Sequence, residues 1–321
     1  MSINTIETVQ LTVGEVFGNN SKMPLPGFAA GHPNVPKRNP DFIWPINYIR
    51  DITEWAIDAE ADPLLLTGPT GCGKTESLLQ FFSGIYQPTI AISCNRAMEP
   101  DEFWGSKEIV SSDGSPTTEY RRSKLMDAYA NGFAIIFDEI DALTAPAAIA
   151  LHRILERADI ALPTGEVVKC HPYTRVVATA NTRGDGDTMG RYAGTNQLNS
   201  ATMNRFQILE YNYPAPEVEQ QILAKAVPRC VKETVENIVK VATDIRVSYE
   251  QGDSPTTMSI RDMIRWGKSL VSGSGREDVK PLYHSFNKAV GNRCDKECRE
   301  VFHTFIKQHF GVETPANGGS I

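Results

Sequence analysis

The chain has no long apolar run. No stretch of its 321 residues approaches the roughly 20 apolar residues that a membrane span needs. Its opening, MSINTIETVQ, has no basic segment followed by an apolar one, so a secretory leader is not expected. Cysteine is scarce. Of the six, Cys72, Cys94, Cys170, Cys230, Cys294 and Cys298, only the last two lie close together. No second pair and no histidine cluster completes a zinc site. The scatter fits reduced thiols in a cytoplasmic protein. Positive charge is not in excess either: the formal net charge is −7, which argues against a dedicated nucleic-acid surface. The Asn-Lys-x-Asp guanine motif is missing, which weighs against a GTPase. What remains is an ordinary globular composition, 41% hydrophobic and 22% charged, long enough for two domains.

The informative stretch is Pro63 to Thr75, PLLLTGPTGCGKT. It reads as an apolar strand, a glycine-rich turn and the first turn of a helix, and it fits G-x-x-x-x-G-K-[ST]. A triphosphate needs many donors at close range. Glycines let the backbone curl so that successive N–H groups face the anion. The helix that follows adds its free N–H groups and the positive end of its dipole. Gly68, Pro69, Thr70, Gly71, Cys72 and Gly73 would form the cradle, with Lys74, Thr75 and Glu76 opening the helix. Lys74 would reach the β- and γ-phosphates of ATP, and the Thr75 hydroxyl would ligate Mg2+. A chance glycine turn would lack the strand before it and the helical run Glu76 to Phe82 after it.

Residues 1–45 carry six prolines among several glycines and read as an extended arm. Residues 46–213 read as an α/β nucleotide-binding domain with two hairpin inserts. Its predicted strands are Thr89 to Ser93, Phe133 to Phe137, Arg175 to Thr179 and Gln207 to Tyr213. Hairpin signals lie at Glu108–Ser111 with Thr117–Tyr120, and around Thr164-Gly165. Ala145 to Arg157 reads as a helix with Ile149, Ile154 and Leu155 inward. From Pro214 the pattern is helical only, giving a smaller helical lid over 214–321.

Asp138 and Glu139 follow the apolar run AIIF. A carboxylate at a strand's C-terminal end sits beside a phosphate loop in such a sheet. Asp138 would hold the Mg2+, and Glu139 would polarise the attacking water. Asp141 reads as a surface or interface acid. Asn181 ends the next buried strand, VVATAN, where its amide can meet the γ-phosphate or the water. Arginines that could meet a phosphate are Arg205 in ATMNRF, Arg261 in MSIRD, and Arg183 and Arg191 in the intervening loop.

A phosphate loop, an IIFDE strand, an ATAN strand end, an MNRF segment and an S-x-R helix opening, in that order, resemble an AAA+ ATPase. The two hairpins resemble the inserts of the MoxR and chelatase branch. TANTRGDGDTMGRYAGTNQLNSATMNRF, MSIRDMIRW and VGEVFG…NPDFIWP closely resemble the ATPase subunits of aerobic cobaltochelatases, the CobS family. The resemblance implies that Asn181 is sensor 1, Arg205 the arginine finger that completes a neighbour's site, and Arg261 sensor 2. The family pattern often has Asp where Asn204 stands and Pro where Ile260 stands; neither change removes a charge-bearing group. It also implies a homo-oligomeric ring, hexameric in the family, and a CobT-like partner with a von Willebrand A domain. A nucleotide-gated binding module with little turnover is the alternative, as is a MoxR-type chaperone for another client. Intact Lys74, Glu139 and Arg205 argue against the first of these.

Overall fold

The computed structural model describes residues 7–112, 115–182, 196, 198–273 and 281–313. Two compact units emerge. One comprises Met1–Asn39, Ile46–Pro69 and Lys74–Asn212; the other comprises Pro40–Pro45, Thr70–Gly73 and Tyr213–Ile321.

The N-terminal stretch is not the extended arm its prolines suggest. Strand β1 (Thr8–Thr12), helix α1 (Val13–Phe17) and strand β2 (Pro24–Phe28) make a small antiparallel ribbon. Thr12 and Glu15 close a capping box on α1. Pro24 and Pro26 lie in β2, where a two-stranded ribbon tolerates a residue without an N–H. The apolar residues decide the outcome: Val13, Val16, Phe17, Leu25 and Phe28 are buried, and Phe17 stacks on Phe81 at 6.0 Å.

Helix α2 (Ile46–Ile57) leads into β3 (Leu64–Thr67), α3 (Lys74–Gly84) and β4 (Thr89–Ser93). The first insert is the hairpin β5 (Gly105–Ser112) and β6 (Ser115–Arg122). Helix α4 (Lys124–Ala130), β7 (Ala134–Asp138), α5 (Ala145–Ala150) and α6 (His152–Leu155) follow. The second insert is β8 (Ile160–Ala161) with β9 (Val167–Val168). Strand β10 (Arg175–Ala180), α7 (Ser200–Met203) and β11 (Gln207–Glu210) complete the unit. The helix predicted over 145–157 is interrupted at Leu151. Its buried set is Ala147, Ala148, Leu151, Ile154 and Leu155, and Ile149 is half-exposed. Ile149 falls two positions from Ala147, roughly 200° around the helix, and so misses the core stripe.

The central sheet runs β11-β3-β10-β7-β4, all neighbours parallel. Its inner strands are apolar on both faces, as a parallel sheet covered by helices requires. The register pairs Ala180 with Thr67 and Ala178 with Phe137. The C-terminal ends of β3, β7 and β10 therefore lie side by side. Leu65, Ile135, Phe137 and Val176 pack with Met126, Tyr129, Leu151 and Ile154 in the core.

The second unit is helical: α8 (Pro216–Ala226), α9 (Lys232–Gln251), α10 (Ile260–Ser272), α11 (Pro281–Ala289) and α12 (Lys296–Phe310). They bury Trp266, Tyr283, Phe286 and Phe302 around Ile238 and Ile245. Among the described residues no helix is long and apolar enough to cross a membrane.

Candidate active site

The phosphate-loop motif bridges β3 and α3. Gly68 continues the pairing with β10 by donating its N–H to Ala180 O at 3.3 Å. Its φ is +155°, and a Cβ there would lie 2.0 Å from Tyr211 O, so only glycine fits. Gly71 has φ +68°, and its Cβ would lie 2.4 Å from Ser259 Cβ. Cys72 is buried within the loop. The tip, residues 70–73, clusters with the helical unit, and Tyr213 Oη donates to Thr70 O at 2.8 Å.

Lys74 is nearly buried at 7% exposure. Its Nζ donates to Gly68 O at 2.7 Å, to Pro69 O at 2.9 Å and to Asn181 Oδ1 at 3.0 Å. The amide that ends β10 and the lysine that opens α3 thus meet, because parallel register sets the ends of β3 and β10 together. Thr75 Oγ1 donates to Asp138 Oδ1 at 2.5 Å. Glu76 is exposed and accepts from Gln80 one helical turn on, at 3.0 Å. Glu139 is exposed beside Asp138 with φ 58° and ψ 49°. A left-handed backbone at a residue other than glycine costs about 1–2 kcal/mol and belongs with functional sites more often than elsewhere.

Two residues at the site escape sequence reasoning. Thr179 is buried, donates to Asp138 Oδ1 at 2.6 Å and accepts the Glu139 N–H at 3.0 Å. Asp141 is no surface acid. It is fully buried, and its Oδ2 accepts from the N–H groups of Asn181 and Thr182 and from Thr182 Oγ1, at 3.0, 3.1 and 3.0 Å. Burial pushes its carboxyl above the usual range, against the opposing pull of those donors. Asp141 therefore fastens the chain immediately beyond β10, and with it Asn181. The signal was present as a third acid in DEID, but strand-end acids usually face water.

Arg205 is not beside Lys74. It precedes β11, whose first residue Gln207 pairs with Leu64, the first residue of β3. It therefore lies at the sheet end opposite to the phosphate loop. Its Nε is 2.9 Å from Glu156 Oε1, and Nη1 donates to Ala201 O at 2.5 Å. His152 nearby bonds Thr202 Oγ1 at 2.8 Å; burial, then the charge of Arg205, holds its pKa below the ordinary value. Arg261 is exposed in the first turn of α10, after the N-cap Ser259, whose hydroxyl closes a capping box with Asp262. Arg183 and Arg191 lie outside the described residues.

Residues 63–206 match the family model described as AAA domain (dynein-related subfamily). Residues 219–309 match the model described as CbbQ/NirQ/NorQ C-terminal. The chain carries an AAA domain followed by a CbbQ/NirQ/NorQ C-terminal domain, the combination of the MoxR family. A relative from Sinorhizobium sp, aerobic cobaltochelatase subunit CobS, is 29% identical over 98% of this chain and 94% of its own. Protein CbbQ of Hydrogenophilus thermoluteolus is 29% identical over 50% of this chain and 57% of its own. Among solved structures, a RuvB mutant of Thermotoga maritima superposes with a TM-score of 0.50 at 16% identity. It covers 85% of this chain and 84% of that one. The likeness shows the AAA+ fold: a parallel sheet flanked by helices, followed by a helical region.

Proposed function

We propose that this AAA+ protein hydrolyses ATP with Mg2+, as one subunit of a ring that remodels or activates a partner protein. The observation that carries the reading is the convergence of Lys74, Thr75, Asp138 and Asn181 where β3, β7 and β10 end. A phosphate seated there meets the loop N–H groups, the Lys74 ammonium and the Asn181 amide. Thr75 Oγ1 and the Asp138 carboxylate are hard oxygen donors on one spot, the kind of set that Mg2+ takes alongside phosphate oxygens. Held by them, Mg2+ would neutralise charge that develops on the phosphates. Glu139 takes the proton of the attacking water, and Asn181 orients that water. Arg205 serves a neighbouring subunit, and Arg261 is the arginine assigned to sensing the nucleotide.

The narrower form of this reading is a CobS-like subunit of a metal chelatase, working with a von Willebrand A partner. Its support is the CobS likeness along 98% of the chain. The broader form is a MoxR-type activase for another client. Labelled-ATP binding and turnover test both. Glu139→Gln is expected to bind ATP and to lose about 10² to 10⁴ in kcat, whereas Lys74→Ala loses binding. Wild-type turnover in Glu139→Gln would overturn the base assignment. A pull-down with ATP-trapped Glu139→Gln then separates the forms. Retention of a von Willebrand A protein supports the narrower form, and retention of an unrelated client supports the broader.

A further inference from the structure

The two acids at the end of β7 share one hydroxyl. Thr179 sits on β10, the strand between β3 and β7, one residue beyond the Ala178–Phe137 pair and so level with Asp138. It is 1% exposed. A hydroxyl buried in the middle of an apolar sheet is costly unless it is hydrogen-bonded. This one makes two bonds. It donates to Asp138 Oδ1 at 2.6 Å and accepts the backbone N–H of Glu139 at 3.0 Å. Thr67, on the adjacent strand β3, has a buried hydroxyl with no hydrogen-bond partner, so a threonine at such a strand end does not acquire this pairing automatically.

Each bond has a consequence. Asp138 Oδ1 is held from two sides, by Thr179 and by Thr75. That leaves the carboxylate little freedom to turn. Glu139 occupies the left-handed region, which a residue with a Cβ adopts only when its surroundings impose it. The bond to its N–H is one of the contacts that impose it, with Cys94 N–H on the Asp138 carbonyl and Ala142 N–H on its own carbonyl, each at 2.8 Å. One hydroxyl therefore acts on both acids: with Thr75 it holds the rotamer of the first, and it ties the backbone, hence the side-chain direction, of the second.

We propose that Thr179 is a positioning residue for phosphoryl transfer, acting through both Asp138 and Glu139 without touching the nucleotide. The proposal rests on the reading of this site as an ATP-hydrolysing centre. A partner that orients a ligating carboxylate typically contributes about 10- to 100-fold in affinity or activity. Thr179→Val keeps the shape and removes the hydroxyl; Thr179→Ser keeps the hydroxyl and removes a methyl. In the full-length protein, Thr179→Val is expected to lower kcat by about 10- to 100-fold, to raise the Mg2+ concentration for half-maximal rate, and to leave the KM for ATP within a few-fold. Thr179→Ser is expected to recover most of the loss.

A second readout needs no turnover. Hydrogen exchange at the Glu139 amide should quicken in Thr179→Val and stay near wild type in Thr179→Ser. Unchanged exchange at Glu139 together with unchanged kcat in Thr179→Val would overturn the proposal, as would equal losses in Val and Ser. A wild-type protein without ATPase activity would instead overturn the reading of the site. The exchange experiment would still decide whether Thr179 holds Glu139.

Discussion

Mixing Arg205→Ala subunits with Lys74→Ala subunits is expected to restore ATP hydrolysis that neither variant shows alone. Arg205 precedes β11, at the opposite sheet end from the phosphate loop that follows β3. Four strand residues at roughly 3.3 Å each separate the two levels, about 13 Å, beyond direct contact with its own phosphates. Its present partner is Glu156, in an ion pair whose side chains are 29% and 45% exposed. Such a pair is worth at most about 1 kcal/mol, so the guanidinium can leave it for a phosphate presented by another subunit. An arginine supplied in trans contributes about 10³ to 10⁵ in rate. A head-to-tail contact of this kind closes into a ring when its rotation allows. Arg205→Ala alone should lose activity by that factor, and wild-type activity per subunit should rise with protein concentration. Light scattering must confirm mixed rings. Mixed rings that stay inactive, or full activity in Arg205→Ala, would remove Arg205 from this role; Arg183 and Arg191 would then be tested.

The largest effect on stability is expected at Arg246. Its side chain and that of Glu219 are 9% and 1% exposed, and Nη1 lies 2.8 and 2.9 Å from the two carboxylate oxygens. Nε donates to Met258 O at 2.8 Å, and the guanidinium stacks 3.7 Å above the Tyr213 ring. Arg246→Ala leaves a buried carboxylate without its cation. Burial already holds the Glu219 carboxyl above its ordinary range. Breaking such a pair costs about 3–5 kcal/mol, whereas replacing both partners by apolar residues of similar size is often neutral. Hydrogen exchange of the α9 amides in the full chain measures the opening free energy without assuming that both units unfold together. Arg246→Ala should lower it by about 3–5 kcal/mol. Arg246→Met with Glu219→Leu should return it most of the way. A single variant within about 1 kcal/mol of wild type would mean that water replaces the lost partner.

Much of this was legible without coordinates. G-x-x-x-x-G-K-T is a local motif, and local backbone chemistry decides it: Gly68 and Gly71 take positive φ where a Cβ would collide. The apolar runs LLLT, AIIF and RVVAT announced buried parallel strands, and Asp138 and Asn181 stand at strand ends because apolar character stops there. The N-terminal ribbon was less legible. Proline count suggested an extended chain, but Phe17 and Phe28 find their partners only in the folded unit, against Phe81 and Tyr173.

Tertiary structure alone decided which polar side chains are buried and whom they meet. Thr179 and Arg246 carry no sequence mark of their roles, and Asp141 shows only as a third acid in DEID. Thr179 and Asp138 are 41 positions apart, as are Asp141 and Thr182. Arg246 sits 27 positions from Glu219 on a helix whose pattern does not single it out. Periodicity reports which face of an element is apolar, and a motif reports its own backbone. Neither reports register between strands, and register is what set Thr179 level with Asp138 and within reach of the Glu139 N–H. It also put Arg205 at the far end of the sheet from Lys74.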